Sequence, residues 1–326
     1  MDFIEPTPEI APFGLRAMTM VAKAAENGLG ATQRVLLDTA QRVILHTEID
    51  IDSLPPITPE ELAQKFDDPA IARQLIRGMV IMSLAEGPAS PRQTELISTF
   101  AAALGVKEPA VKVIRELTEG DILMFRLDFY RRSHLRDYMR TQYKLQGGFL
   151  GMAKAVLGVT GMHEDEKLAG RFRALGDLPE NTLGHHLFLH YTSNGFAFPG
   201  EKGGFPMGAM FHDIGHVLGG YDTTPEGELR VSAFQAGYRR NEDAFFTILF
   251  AVLIHTAGVN MAPIKMPVLL GRIAQGELFE EIVTALKRGG SMTTDLGDAW
   301  DFWPYMDLPL DLVRERLGVS PLVQDG

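Results

Sequence analysis

From Leu15 onward, apolar residues return every three or four positions, the spacing that lines one face of a helix. The stretches "LRAMTMVAKAAENGLG" and "ATQRVLLDTAQRVILHT" show it, and Gly28 and Gly30 separate them. Before them, Pro6, Pro8 and Pro12 predict an extended arm over residues 1–14. In "SLPPITPEELAQKF", Thr58 is placed as an N-cap, Pro59 as the first helical residue and Glu61 as the third, which together predict a capping box. "PAIARQLIRGMVIMSLAEG", "SPRQTELISTFAAALGV" and "EPAVKVIRELTEGDILMFRLDFYRRSHLRDYMRTQYKL" each predict a helix with a polar start. Period-two alternation is nearly absent, so residues 1–140 predict an all-α bundle.

The glycine-rich stretch "QGGFLGMAKAVLGVTGMHEDE" at 146–166 predicts the join between two domains, with a linker over 141–165 and a second helical domain over 166–326. That half opens with "LPENTLGHHLFLHYTSNGFAFPGEKGGFPMGAM", partly loop. "MGAMFHDIGHVLGG" follows as a helix ending at Gly219 or Gly220. "ELRVSAFQAGYRRNEDAFFTILFAVLIHTAG" predicts a long apolar-faced helical stretch, and "WDFWPYMDLPLDLVRERLGV" a turn and one amphipathic helix. The fold class expected is all-α throughout.

Composition narrows the chemistry. With 31 Lys and Arg against 42 Asp and Glu, the 326-residue chain carries a formal charge of -11, which argues against a phosphate-backbone binder and so against nucleic acid as a partner. There is no cysteine, so a metal would have to be held by histidine, carboxylate or water. "AFFTILFAVLI" at 244–254 is too short to span a bilayer and reads as a buried helix. The acidic, proline-rich start lacks the features of a signal peptide, and a cytoplasmic protein is expected.

"FHDIGHVLGGYDTTPEGE", residues 211–228, carries the candidate chemistry. On a helix His212 and His216 are one turn apart on one face, so both imidazoles can grip one divalent ion. Asp213 is close enough to be a third ligand or to orient a ligand from behind, and Glu228 can close the site from beyond the "YDTTPEG" loop. Two histidines and an aspartate within one turn of an otherwise apolar helix are costly to bury without a common partner. A zincin protease would need glutamate where Asp213 stands. An HD-type phosphohydrolase would use His212 and Asp213 with a histidine such as His185, His186 or His190 and an aspartate such as Asp295, Asp298 or Asp301. Those three histidines read first as core residues, and Tyr238, Arg239, Arg240 and Asn241 as a solvated interruption of the apolar stretch.

Two family resemblances add to this. The sequence H-D-x-x-H followed after eleven residues by E matches without a gap the signature of the Coq-four family of ubiquinone biosynthesis proteins; "LPENTLGHH", the glycine-glutamate pair at 227–228 and "WDFWPYMDLPLDLVRERLGV" resemble that family's flanking segments. The likeness covers about residues 166–326. It implies an all-helical domain that binds zinc, with magnesium or manganese as alternatives, through His212, Asp213, His216 and Glu228, beside an apolar cavity for a polyisoprenoid lipid. It also implies oxidative decarboxylation of a prenylated hydroxybenzoate-type ring, alongside other quinone-biosynthesis enzymes and with peripheral contact at the inner membrane. A non-catalytic lipid-binding scaffold and the HD-type phosphohydrolase stand as alternatives. Phe234, Phe245, Phe246, Phe250 and Leu253, with Met207, Met210, Met261 and Met266, are candidates to line a lipid tunnel, although such a stripe is first of all a core. In the first half, "MSLAEGPASPRQTELISTFAAALGV" resembles the helix-loop-helix of TerB-like, tellurite-resistance-type domains, with Glu86 and Gly87 in the turn and Glu95 in the helix. That family's turn usually carries aspartate, and Pro88 and Pro91 depart from its pattern, so the resemblance implies a helical platform or a homo-oligomer interface ahead of a second metal site.

Overall fold

The computed structural model describes residues 1, 3–132, 164–204, 207, 210–241, 243–261, 267–297 and 300–322. The expected 141–165 linker falls almost wholly outside them, as do Met266 and Asp298. Among the described residues the protein is all-α, with isolated bridges in place of strands. The helices are α1 (Ala11–Lys23), α2 (Ala31–Ala40), α3 (Pro59–Ala63), α4 (Pro69–Ser83), α5 (Pro91–Ala103), α6 (Pro109–Thr118) and α7 (Ile122–Arg132), then α8 (Glu166–Arg173), α9 (Leu183–Asn194), α10 (Met210–Gly219), α11 (Pro225–Tyr238), α12 (Phe245–His255), α13 (Leu278–Gly290) and α14 (Leu310–Leu317). None of them is long and apolar enough to cross a membrane. They form two compact units, neither contiguous in sequence: residues 2–130 with 245–284, and 131–244 with 285–326 and Met1.

In the first unit, polar side chains set the helix starts. The expected arm over 1–14 ends sooner than its prolines suggest, because α1 begins at Ala11 and Pro12 lies in its first turn, where no N–H is needed. Thr58 accepts the N–H of Glu61 at 3.1 Å as expected, and Ser90 and Gln93 form a full reciprocal capping box at 3.2 and 3.0 Å. Glu86, in the turn that resembles TerB-like domains, caps α2: its Oε1 accepts from Thr32 N at 2.7 Å and Gln33 N at 3.3 Å. Gly30 admits that carboxylate, since a Cβ there would lie 2.2 Å from it.

The expected single stretch after Glu228 is two helices, α11 and α12, which belong to different units. α12 is apolar on nearly every face and buried accordingly. Phe246 and Phe250 pack on Phe129 of α7 at ring distances of 5.3 and 6.0 Å. The Arg77 guanidinium, paired with Glu108 at 2.7 Å, lies 5.2 Å over the Phe245 ring.

The second unit is built around α10. The "LPENTLG" segment runs antiparallel to the chain near Pro309: Leu183 N donates to Leu308 O at 2.9 Å, Gly184 N to Met306 O at 2.8 Å and Leu310 N to Asn181 O at 2.8 Å. The two flanking segments singled out in the sequence are therefore one hydrogen-bonded structure. Two arginines hold the C-terminal end of α10, whose last carbonyls have no helical partner. Arg288 of α13 donates to Gly219 O at 3.0 Å, and Arg314 of α14 donates to Leu218 O and Val217 O at 3.0 and 3.1 Å. Their charges also complement the negative end of the helix dipole. Of the four residues expected to form a solvated face, Tyr238 and Arg239 are buried, with the Arg239 guanidinium 5.7 Å over the Phe211 ring, while Arg240 is exposed.

α11 and α13 touch backbone to backbone. A Cβ on Gly289 would lie 1.9 Å from Phe234 O and 3.1 Å from Gly237 Cα, and backbone cannot swing aside as a side-chain tip can. Gly290, the next residue, has nothing within 4 Å of its Cβ position. Gly289→Ala is expected to destabilise the protein by about 1–3 kcal/mol, and Gly290→Ala to leave it within about 1 kcal/mol of wild type. Urea midpoints of the two variants check this; equal midpoints would show that the helices are not in close contact.

Candidate metal centre

Helical geometry brings His212 and His216 together, as their spacing predicts. Their Nε2 atoms are 3.3 Å apart, with the rings edge to face. Glu228 meets them from α11: Thr224 caps that helix by accepting Gly227 N at 3.1 Å, and Glu228 stands in its first turn. The Thr-Pro pair at 224–225 was the sequence signal for that start. Gly227 allows the turn to close, since a Cβ would lie 2.1 Å from Asp222 O. Glu228 Oε2 is 3.4 Å from His212 Nε2, and Oε1 is 3.3 Å from His216 Nε2.

Each imidazole thus faces its own oxygen of the Glu228 carboxylate. Ligand bonds of about 2.0–2.1 Å to a tetrahedral centre put any two donor atoms about 3.3–3.4 Å apart. One donor atom from each of the three residues falls within a common span of 4.8 Å, so the group could hold a metal ion. The far side of each imidazole is also engaged. His216 Nδ1 is 3.2 Å from Tyr221 O; donating there leaves Nε2 with its lone pair facing the other two ligands. The Gln235 Nε2 lies 3.2 Å from His212 Nδ1 and donates to His212 O at 3.4 Å. Gln235 is two turns beyond Glu228 on the same face of α11, and Gly215 lets it approach, since a Cβ there would lie 2.9 Å from its Nε2. The sequence reading missed Gln235, though its seven-residue offset from Glu228 marks the shared face.

Asp213 is not one of the trio. It is buried on α10, where Oδ2 accepts the Tyr191 hydroxyl. Burial, ahead of the opposing effect of His212, pushes its carboxyl above the usual range, and burial together with Asp213 pushes the Tyr191 phenol up. Of the other candidate acids, Asp295 accepts Arg240 N at 2.9 Å and Gly297 N at 2.8 Å, and Asp301 accepts Trp303 N at 3.2 Å. His190 stacks on His216 at 5.3 Å and 29°; burial, then the nearby His216 and His212, lower it to about 4, so it is neutral at ordinary pH. The candidate lipid contacts divide between the two units. Phe234 is fully buried between Tyr221 and Tyr238, and Met210 is buried against Tyr191, whereas Phe245, Phe246 and Phe250 pack in the unit that contains α7.

No family model matches the chain, and no curated protein is similar to it. Among solved structures, the chain is similar to a Nostoc punctiforme protein provisionally named a ubiquinone biosynthesis protein, with 18% identity over 65% of this chain and 95% of that one and a TM-score of 0.37. A match so distant leaves function to be argued from the residues.

Without a metal, His212 and Glu228 form a buried ion pair. Burial alone would lower His212, but the Glu228 carboxylate outweighs it and pushes the imidazole up to about 9. Burial likewise opposes the charge of Glu228, and His212 followed by His216 holds it well below the usual carboxylate range. The raised His212 supplies stability that is complete below its ordinary value of 6.5 and is lost as pH rises through about 9. The depressed Glu228 supplies stability that is complete above its ordinary value of 4.5 and is lost at lower pH. Metal-stripped wild type should therefore lose more urea resistance than Glu228→Gln between pH 6.5 and 9.5. Parallel pH profiles for the two proteins would show that the pair does not form.

Proposed function

We propose that this protein binds one divalent ion through His212, His216 and Glu228, and uses it to hold an oxygen substituent of a prenylated aromatic precursor in ubiquinone assembly. The carrying observation is that the signature residues His212, His216 and Glu228, twelve positions apart at the widest step, bring one donor atom each within 4.8 Å of one another, a group that could hold a metal ion. Two imidazoles, one carboxylate and no thiolate favour zinc, with magnesium or manganese less suited to a nitrogen-rich set. Three protein ligands leave a fourth position for water or substrate.

The side chains of His212 and Glu228 remain 27% and 26% exposed, so the trio is reachable from solvent. That openness favours a reactive or ligand-binding centre over a closed structural site of the kind a pure scaffold would carry. A divalent ion held by these residues would supply Lewis acidity, stabilising negative charge on a ring oxygen bound to it. The chain's part is to orient His216 through Tyr221 O, with Gln235 packed on the far side of His212. Asp213, engaged by Tyr191, supports α10 from within the core, which disfavours the phosphohydrolase reading in which it must ligate.

His216→Ala and Glu228→Ala should purify with at least tenfold less metal than wild type, whereas Asp213→Asn should keep one ion per chain. Native mass spectrometry reads metal and any co-purified prenylated lipid together. Unchanged metal in His216→Ala would refute the site, and loss of metal in Asp213→Asn would make the aspartate a ligand.

A further inference from the structure

The start of α7 carries large apolar side chains into water. Ile122, Leu123, Met124 and Leu127 are 44%, 70%, 40% and 54% exposed, all within six residues. The helix already has a core face: Phe125, Asp128 and Phe129 are buried, and the two phenyl rings lie 6.3 Å apart. At about 100° per residue, Leu123 and Leu127 fall on the side opposite those three. α7 is therefore apolar on two faces, of which the fold covers one. Single exposed leucines are ordinary, but a contiguous apolar patch on a soluble unit marks an interaction site.

The charges around the patch decide what fits it. Glu119 and Asp121 are exposed at the start of α7, and Arg126 is exposed one turn past Leu123. Asp121 Oδ1 caps the helix through Met124 N at 3.2 Å, and Arg126 reaches Asn260 O only at 3.5 Å, so both keep polar atoms for a partner. Acid thus stands at one end of the patch and base at the other. Arg131 and Arg132, in the last turn, lie about 12 Å and more from Leu123 along the helix, beyond the patch. An anionic lipid surface would be repelled by both carboxylates. A second copy of the helix running antiparallel meets each charge with its opposite. With a twofold axis at Leu123 and a rise of about 1.5 Å per residue, Arg126 of the second copy falls about 4.5 Å from the axis, between the levels of Asp121 at about 3 Å and Glu119 at about 6 Å. The same pairing repeats on the other side by symmetry.

We propose that the outer face of α7, formed by Ile122, Leu123, Met124 and Leu127, is the centre of an antiparallel twofold interface between two copies of this chain, with Arg126 of each copy paired to Glu119 and Asp121 of the other. The interface is independent of the metal site. Stable interfaces hide about 800 Å² on each partner, more than one helix face supplies, so the dimer dissociates in the micromolar range.

Sedimentation velocity of the full chain, run from submicromolar to submillimolar concentration, reads this equilibrium. Wild type should pass from monomer to dimer within that range. Leu123→Lys should raise the dissociation constant at least tenfold, because two leucines leave the axis and two like charges take their place. Leu127→Lys is the second variant should the first misfold, with circular dichroism as the check. Arg126→Glu and Glu119→Lys should each weaken association about fivefold when alone, and an equimolar mixture of the two should recover the wild-type constant, since each new charge then faces its opposite. A wild type that stays monomeric throughout, a dimer unmoved by either leucine variant, or a mixture no stronger than its components would overturn the interface. So would a monomer that instead binds phosphatidylglycerol vesicles and loses them in Leu123→Lys.

Discussion

Two imidazole nitrogens and a carboxylate stand 3.3–3.4 Å from one another, and the trio is stable only with a positive charge at its centre. Without metal, that charge is the proton on His212, held there by Glu228. Much of the surrounding unit serves to keep α10 and α11 close enough for this. Arg288 and Arg314 tie down the end of α10 just past His216, and Gly215, Gly227 and Gly289 remove the Cβ atoms that would push the neighbouring segments away. The arginine charges lie at the carbonyl end of the helix, where they offset its dipole, instead of at the trio, where they would repel a cation.

How far this was legible from the sequence depends on the range of each interaction. His212 and His216 were legible because four-residue spacing is a local property of a helix, and the helix stop at Gly219 followed from glycine chemistry. The all-α class followed from periodicity alone. Glu228 was placed in the site from beyond the loop at 221–227, but the loop was drawn too long, because Thr224 and Pro225 already start the helix. The arm over 1–14 was overextended because proline was read as a breaker where, in a first turn, it is an acceptable residue.

Other features were hidden because they depend on tertiary contacts. Nothing local to "LPENTLG" states that it pairs with the backbone near Pro309, more than a hundred residues later. Nor does the apolar run of α12 name its neighbours. A helix that is hydrophobic all round must be buried, but the period does not say in which unit, and Phe129 and Arg77 decide that. Arg239 misled in the opposite sense: composition alone puts arginine in water, and its burial over Phe211 is a matter of packing.

Asp213, the fourth residue of the signature, stands apart from the trio in the structure. It neighbours His212 in the chain, so on a helix it points about 100° away, into the core and away from Glu228. There it meets Tyr191, whose hydroxyl it accepts, and Tyr191 sits on α9 directly beside His190. An aspartate at this position therefore fixes the approach of α9 to α10, and with it the distance from the His190 ring to His216. The metal ligands and the His190 ring are joined through that buried hydrogen bond, and a longer or apolar side chain at 213 would disturb both at once.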